Sequence, residues 1–298
     1  HKKFTIQEMF YKMVIIVHKI KIMKKILFSL VVMISSYFLT QAQDNIGVQL
    51  YSFRNQFKTD VPGTLAAIEK MGFKYIEGGD SYGMPIKDIK LLLDKSKFKV
   101  VSIQADYNEL EKDPAQFIEK ANAYGATYVM CAWIPHPEAP LTIELAKAAV
   151  RVFNDAGKVL AAKGIKLVYH AHGYEFAPYE GGTIYDYMMK NMDPRYANFE
   201  MDIFWMKHPG QDPVALFSKY PGRYPLVHLK DRLPGTPGNM LGRADVETNV
   251  VLGTGDLGIK EIYRAGKKAG VKYFFIEDES SRSMDQVPQS LAYLKDLH

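Results

Sequence analysis

The chain has 298 residues, 47% of them hydrophobic, with a formal net charge of +5 and one cysteine. That is enough apolar material for one large domain, and a lone Cys131 excludes an internal disulfide or a cysteine-rich zinc site. The positive charge does not point to nucleic acid, because residues 1–42 carry seven Lys and one Glu and leave the remainder at −1.

Residues 1–42 read as an upstream extension followed by a signal peptide. From Met23, Lys24 and Lys25 form a positive start, and Ile26 to Leu39 is an apolar run of about 14 residues, short of a bilayer span. Thr40 and Ala42 put small residues where cleavage is expected, after Ala42. Translation starts at Met23, or His1 to Ile22 is an extension ahead of it. On this reading the protein is exported to the periplasm and has no membrane association after cleavage.

Residues 43–298 alternate short apolar strands with amphipathic helices. Strands are expected at Ile46–Phe53, Tyr75–Gly78, Val100–Ala105, Tyr128–Ile134, Lys166–His172, Asn198–Phe204, Tyr224–Lys230 and Lys272–Glu277. Helical spacing of apolar residues marks Thr64–Met71, Ile86–Leu93, Pro114–Tyr124, Ile143–Ala162, Pro213–Tyr220 and Ile259–Lys268. Asp60 and Asp212 stand at N-cap positions, and Gly72, Gly125 and Gly164 where helices stop. Leu233 to Val251 reads as an irregular loop over the barrel mouth. Eight strands separated by helices predict an α/β fold, a single-domain (β/α)₈ TIM barrel. The doubly wound alternative lacks its glycine-rich phosphate loop.

In such barrels chemistry sits at the C-terminal strand ends, and side chains alternate between barrel interior and helix layer. His170 and His172, Glu200 and Asp202, His228 and Lys230, and Glu277 and Glu279 then share the inward face of four consecutive strands. Buried carboxylates and imidazoles are costly unless paired or coordinated, so their convergence predicts a site for one divalent metal ion. Mixed N/O ligation suits Mn²⁺, Zn²⁺, Co²⁺ or Fe²⁺.

The segments YHAHGYEF (Tyr169–Phe176), MDIFW (Met201–Trp205), GQDP (Gly210–Pro213), PGRYPLVHLKD (Pro221–Asp231) and FIEDE (Phe275–Glu279) together resemble the xylose-isomerase-like TIM barrels known as sugar phosphate isomerases/epimerases. The resemblance implies that Asp202, His228 and Glu277 hold the metal, with His170 where the family commonly has Glu. His172 or Glu175 is the other candidate for that fourth position. It further implies catalytic roles for Glu277, His170 and Lys230. Substrate contacts are expected from Glu77, His172, Trp133, Gln49, Gln104 and Lys230, with Tyr51 nearby; Asp231 and Arg223 are expected to form structural ion pairs.

The function expected from this is a metal-dependent isomerase or epimerase that removes the proton next to the carbonyl of a sugar or keto-sugar. A lyase or hydratase acting on keto-sugars or oxidised glycosides is the alternative, and a non-catalytic sugar-binding barrel a third. The partner is a small carbohydrate, and the resemblance allows a homodimer. A DNA-repair nuclease on the same fold needs more metal ligands and a basic groove.

Overall fold

A computed structural model describes residues 23–25, 45–80, 82–137 and 140–297. Contacts divide the chain into His1–Asp44 and Asn45–His298, and the second unit is an α/β barrel. The apolar run Ile26–Leu39 and the cleavage point at Ala42 lie outside the described residues. Among the described residues, no helix is long and apolar enough to cross a membrane.

Eight parallel strands close into a barrel: β1 (Ile46–Gln49), β2 (Tyr75–Glu77), β3 (Lys99–Ala105), β4 (Tyr128–Cys131), β5 (Lys166–His170), β6 (Ala197–Asp202), β7 (Leu226–Leu229) and β8 (Tyr273–Ile276). Each pairs with its neighbours in sequence, and β1 closes the ring on β8 through Ile46–Phe274, Gly47–Phe275 and Val48–Ile276. A helix follows each strand: α1 (Val61–Met71), α2 (Ile86–Lys95), α3 (Gln116–Tyr124), α4 (Ile143–Ala161), α5 (Ile184–Asn191), α6 (Pro213–Lys219), α7 (Ile259–Ala269) and α8 (Ser283–Lys295). The expected single (β/α)₈ domain is therefore observed. The apolar alternation of the sequence did not bring out α5 and α8, the latter carrying Pro288 inside it.

The alternation of side chains separates two apolar cores. Val101, Tyr128, Met130, Val168, Leu226 and Phe275 fill the barrel interior. Their sequence neighbours Val129, Leu167, Tyr169, Met201, Val227, Phe274 and Ile276 pack instead with the surrounding helices. The parity read for β5 to β8 thus holds. It slips once, where β3 shifts register against β2 so that Ile76 pairs with Val100 but Glu77 with Ser102.

Several strands end earlier than expected, and polar side chains are the reason. The Gln49 side chain accepts from Tyr51 N at 3.1 Å and turns the chain into a 3-10 helix at Leu50–Phe53. Asp202 Oδ1 accepts from Phe204 N at 2.8 Å and Trp205 N at 3.3 Å, which starts a short helix at Ile203–Lys207 in place of strand. The caps at Asp60 and Asp212 and the left-handed ends at Gly72 and Gly125 fall where expected.

Among the described residues, Asp231 and Arg223 do not make the expected ion pairs. Asp231 Oδ2 accepts from Gly253 N at 2.9 Å and Gly255 N at 3.0 Å, and its Oδ1 from Arg232 N at 2.9 Å and Leu257 N at 3.3 Å. A buried carboxylate so surrounded by N–H donors has no need of a cation, and it pins the GTGDLG turn ahead of α7. Arg223 donates to the carbonyls of Met189 and Met192 and to Asn198 Oδ1, closing the C-terminus of α5 against β6.

Gly157 lies inside α4, where propensity alone favours Ala by about 1 kcal/mol. A Cβ there would stand 2.7 Å from the Tyr196 carbonyl oxygen, and backbone cannot yield as a side chain can. Overpacking of this kind costs about 1–3 kcal/mol, so Gly157→Ala is expected to lower the thermal unfolding midpoint; a raised midpoint would show that α4 moves freely from the loop before β6.

Candidate functional site

At the C-terminal ends of the strands lies a cavity of about 450 Å³, within the range of small-molecule sites. His170, His228, Lys230 and Glu277 form its polar floor, and Trp133, His172, Phe204 and Trp205 one wall. Gln49, Tyr51 and Gln104 line it from β1 and β3. Gly242, Arg243, Ala244, Val246 and Asn249, from the segment expected to cover the mouth, complete the lining.

Four groups converge as expected. His170 Nε2 is 3.5 Å from Asp202 Oδ2, and Asp202 Oδ2 is 4.0 Å from His228 Nδ1. His228 Nδ1 is 3.2 Å from Glu277 Oε2. The Lys230 ammonium bridges the same carboxylates, 2.8 Å from Glu277 Oε2 and 3.5 Å from Asp202 Oδ2, and also reaches Glu279. It lies 5.6 Å from the centre of the Trp205 ring, whose face is electron-rich.

Burial alone would raise Glu277, but Lys230 and His228 hold it well below the usual carboxylate range. Burial also raises Asp202, and Lys230 and His170 more than reverse it. Burial opposes the charge on Lys230, yet Glu277, Glu279 and Asp202 keep it well above its ordinary value. His172 is held well below its ordinary value by burial and the neighbouring His170, which favours the neutral ring. Its Nδ1 lies 3.2 Å from the His170 carbonyl oxygen, which can only accept. The hydrogen therefore sits on Nδ1 and the Nε2 lone pair is free of it.

The donor set fits a divalent cation. Asp202, His228 and Glu277 each offer one ligand atom, all within 4.8 Å of one another, and His170, Glu200 and His228 do likewise. Both His170 nitrogens and Asp202 Oδ2 are buried with no hydrogen-bond partner, the condition that coordination relieves. Asp202 divides its oxygens between tasks: Oδ1 caps the short helix and Oδ2 faces His170 and Lys230.

Two placements differ from expectation. Glu77 does not line the cavity; it is fully buried beneath the floor, where its Oε1 accepts from Gln49 Nε2 at 2.8 Å and lies 2.5 Å from His228 Nε2. Glu175, a candidate ligand, lies behind β5 and accepts from the Tyr169 hydroxyl and the His172 N–H. Burial pushes its carboxyl up to about 7. Trp133, Gln104, Gln49, His172 and Lys230 do line the cavity.

Glu200 has the right parity, but nothing in the sequence alone gave it a role. It is fully buried, with Oε1 3.3 Å from His228 Nε2, and burial with the adjacent Glu77 raises it to about 8. Trp205 was likewise missed, since its place in the wall follows from the turn that Asp202 makes; the Asp at a strand end was the available signal.

The profile of the xylose isomerase-like TIM barrel matches residues 65–297. Among curated proteins, the inosose dehydratase of Clostridium botulinum is 26% identical over 183 residues, 55% of this chain and 60% of that protein; the chain thus spans about three-fifths of that relative's length. A sugar phosphate isomerase/epimerase from Parabacteroides distasonis has the same fold, with a TM-score of 0.70 at 24% identity over 84% of this chain and 97% of that one. So does the IolI protein, solved with a zinc atom bound, with a TM-score of 0.67 at 14% identity over 85% and 97%.

Lys230 is the cation among three acidic groups in this floor. Removing one partner of a buried ion pair costs about 3–5 kcal/mol. Lys230→Met is therefore expected to destabilise the metal-free protein by that order, and added Zn²⁺ to raise its unfolding midpoint more than it raises that of the wild type. Equal midpoints without metal would show that the carboxylates are balanced by other means.

Proposed function

From the premise that the chain belongs to the xylose isomerase-like TIM barrel family, we propose that it is a metal-dependent lyase that removes water from a keto-sugar or an oxidised glycoside. One observation carries this reading. The cavity presents a neutral proton acceptor, His172 Nε2, and a proton donor, Lys230, beside the cluster of His170, Asp202, His228 and Glu277. The sequence relatives named as dehydratases support elimination as the outcome.

A divalent ion held by His170, Asp202, His228 and Glu277 would supply Lewis acidity toward the substrate carbonyl. His172 accepts the proton from the carbon next to that carbonyl. Lys230 donates a proton to the hydroxyl on the next carbon, which departs as water while the electron pair of the broken C–H bond forms the new double bond. Trp133 and Trp205 offer ring faces to the substrate, and Gln49 and Gln104 offer amide groups. Isomerisation or epimerisation, the outcome first expected from the sequence, shares the first step and differs in where the proton returns.

Export belongs to the same proposal. The Met23–Ala42 pattern supports it, and an exported enzyme meets free sugars and glycosides more than sugar phosphates. The zinc in the IolI structure supports a bound metal, and the N/O donors admit Mn²⁺, Zn²⁺, Co²⁺ or Fe²⁺.

Protein purified without chelator is expected to contain about one transition-metal ion per chain by elemental mass spectrometry, lost in Asp202→Ala, His228→Ala and Glu277→Ala. His172→Gln is expected to keep the metal and lower turnover about 10²–10⁴-fold. The product of a keto-sugar would be lighter by one water; unchanged mass with altered chromatographic retention would indicate an isomerase or epimerase instead. Absence of metal after reloading with Mn²⁺ or Zn²⁺ would overturn the reading in favour of a sugar-binding barrel.

A further inference from the structure

His228 stands between two pairs of carboxylates, one on each ring nitrogen. Nδ1 faces Glu277 Oε2 at 3.2 Å and Asp202 Oδ2 at 4.0 Å. Nε2 faces Glu77 Oε1 at 2.5 Å and Glu200 Oε1 at 3.3 Å. An imidazole that ligates a cation offers a lone pair from one nitrogen and carries its hydrogen on the other, so the two sides cannot play the same part.

The surroundings decide between them. On the Nδ1 side Asp202 is fully buried but Glu277 lines the cavity, whereas on the Nε2 side Glu77 and Glu200 are both fully buried and neither lines it. Glu77 is also held in place. Gln49 Nε2 donates to the same Oε1 at 2.8 Å, and Gln49 Oε1 in turn accepts from Tyr51 N at 3.1 Å. Gln49 and Glu77 pair across β1 and β2. A chain of hydrogen bonds thus runs from the backbone at the end of β1, through an amide and a carboxylate, to one nitrogen of His228.

We infer that Glu77 is a positioning residue for His228: it accepts the Nε2 hydrogen and so directs the Nδ1 lone pair toward Asp202 and Glu277. This rests on the proposal that those residues hold a divalent ion. A carboxylate on the far nitrogen of a ligating histidine fixes its tautomer and ring orientation, and its loss costs about 10–100-fold in metal affinity. The role differs from the substrate contact expected of Glu77, and it gives a reason for a fully buried carboxylate beneath the floor. The competing arrangement, with the ion on the Nε2 side among His170, Glu200 and His228, would place it below the cavity against Glu77.

The test uses the full chain labelled with ¹⁵N-histidine and titrated with Zn²⁺. Nitrogen NMR is expected to show the hydrogen of His228 on Nε2 and the metal-induced shift on Nδ1; the reverse assignment overturns the inference without any variant having to fold. Glu77→Ala is expected to weaken Co²⁺ binding about 10–100-fold and to change the visible absorption of the bound ion. Glu77→Gln, which keeps an acceptor oxygen, is expected to recover most of that loss. Wild-type affinity and spectrum in Glu77→Ala, or a Glu77→Gln as weak as Glu77→Ala, would also overturn it. A wild type that binds neither ion defeats the metal proposal itself, and the metal-free spectrum then decides for Glu77: Nε2 without a hydrogen counts against it.

Discussion

The mouth of this barrel gathers Glu77, Glu200, Asp202 and Glu277 around two imidazoles and one ammonium, all nearly or wholly out of water. Isolated carboxylates in such a place would be strongly disfavoured. In this barrel three are answered by specific neighbours, Glu277 and Asp202 by Lys230 and Glu77 by His228 and Gln49, while burial and the adjacent Glu77 raise Glu200 to about 8. Within this cluster His170, Glu200, Asp202 and Glu77 keep buried side-chain atoms without a hydrogen-bond partner. Coordination of a cation would satisfy those of His170 and Asp202.

The scaffold holds this cluster through side chains with two tasks. Asp202 starts a helix with one oxygen and faces the site with the other. Gln49 turns β1 into a 3-10 helix through its carbonyl and holds Glu77 through its amide. Asp231, one residue beyond Lys230, fastens the turn before α7 through backbone N–H groups. Positioning therefore comes from the strand ends themselves, and the segment after β7 adds a wall to the cavity rather than the reacting groups.

The aromatic wall follows from the same construction. Trp205 stands where it does because the short helix begins at Asp202. Trp133 is braced by His136, His172 and Tyr174, whose ring centres lie 4.7 to 5.5 Å away. The Tyr174 hydroxyl accepts from Ile134 N and meets the Tyr169 hydroxyl, which donates to Glu175. The ends of β4 and β5 are thereby joined behind the cavity, and that is the work Glu175 does in place of the ligation considered for it.

Much of this was legible in the sequence. Alternating apolar runs marked the eight strands and the barrel, because each strand must bury both faces. Period-two alternation placed His170, Asp202, His228, Lys230 and Glu277 on the inward face, and inward at a strand's C-terminal end leaves few destinations. Parity does not fix depth, however. Whether an inward side chain lines the cavity or lies under its floor depends on the stagger of neighbouring strands and on the register slip at Glu77, which are properties of the closed barrel. That is why Glu200 shares the inward parity of the lining residues, and Glu77 was expected to touch substrate, yet both stand beneath the cavity in the structure. Strand ends were misplaced for a related reason: a polar side chain that caps a turn competes with the ladder only once tertiary packing has set where the strand must stop. The sequence by itself determined which residues face inward; only the tertiary structure decided which of them a substrate can reach.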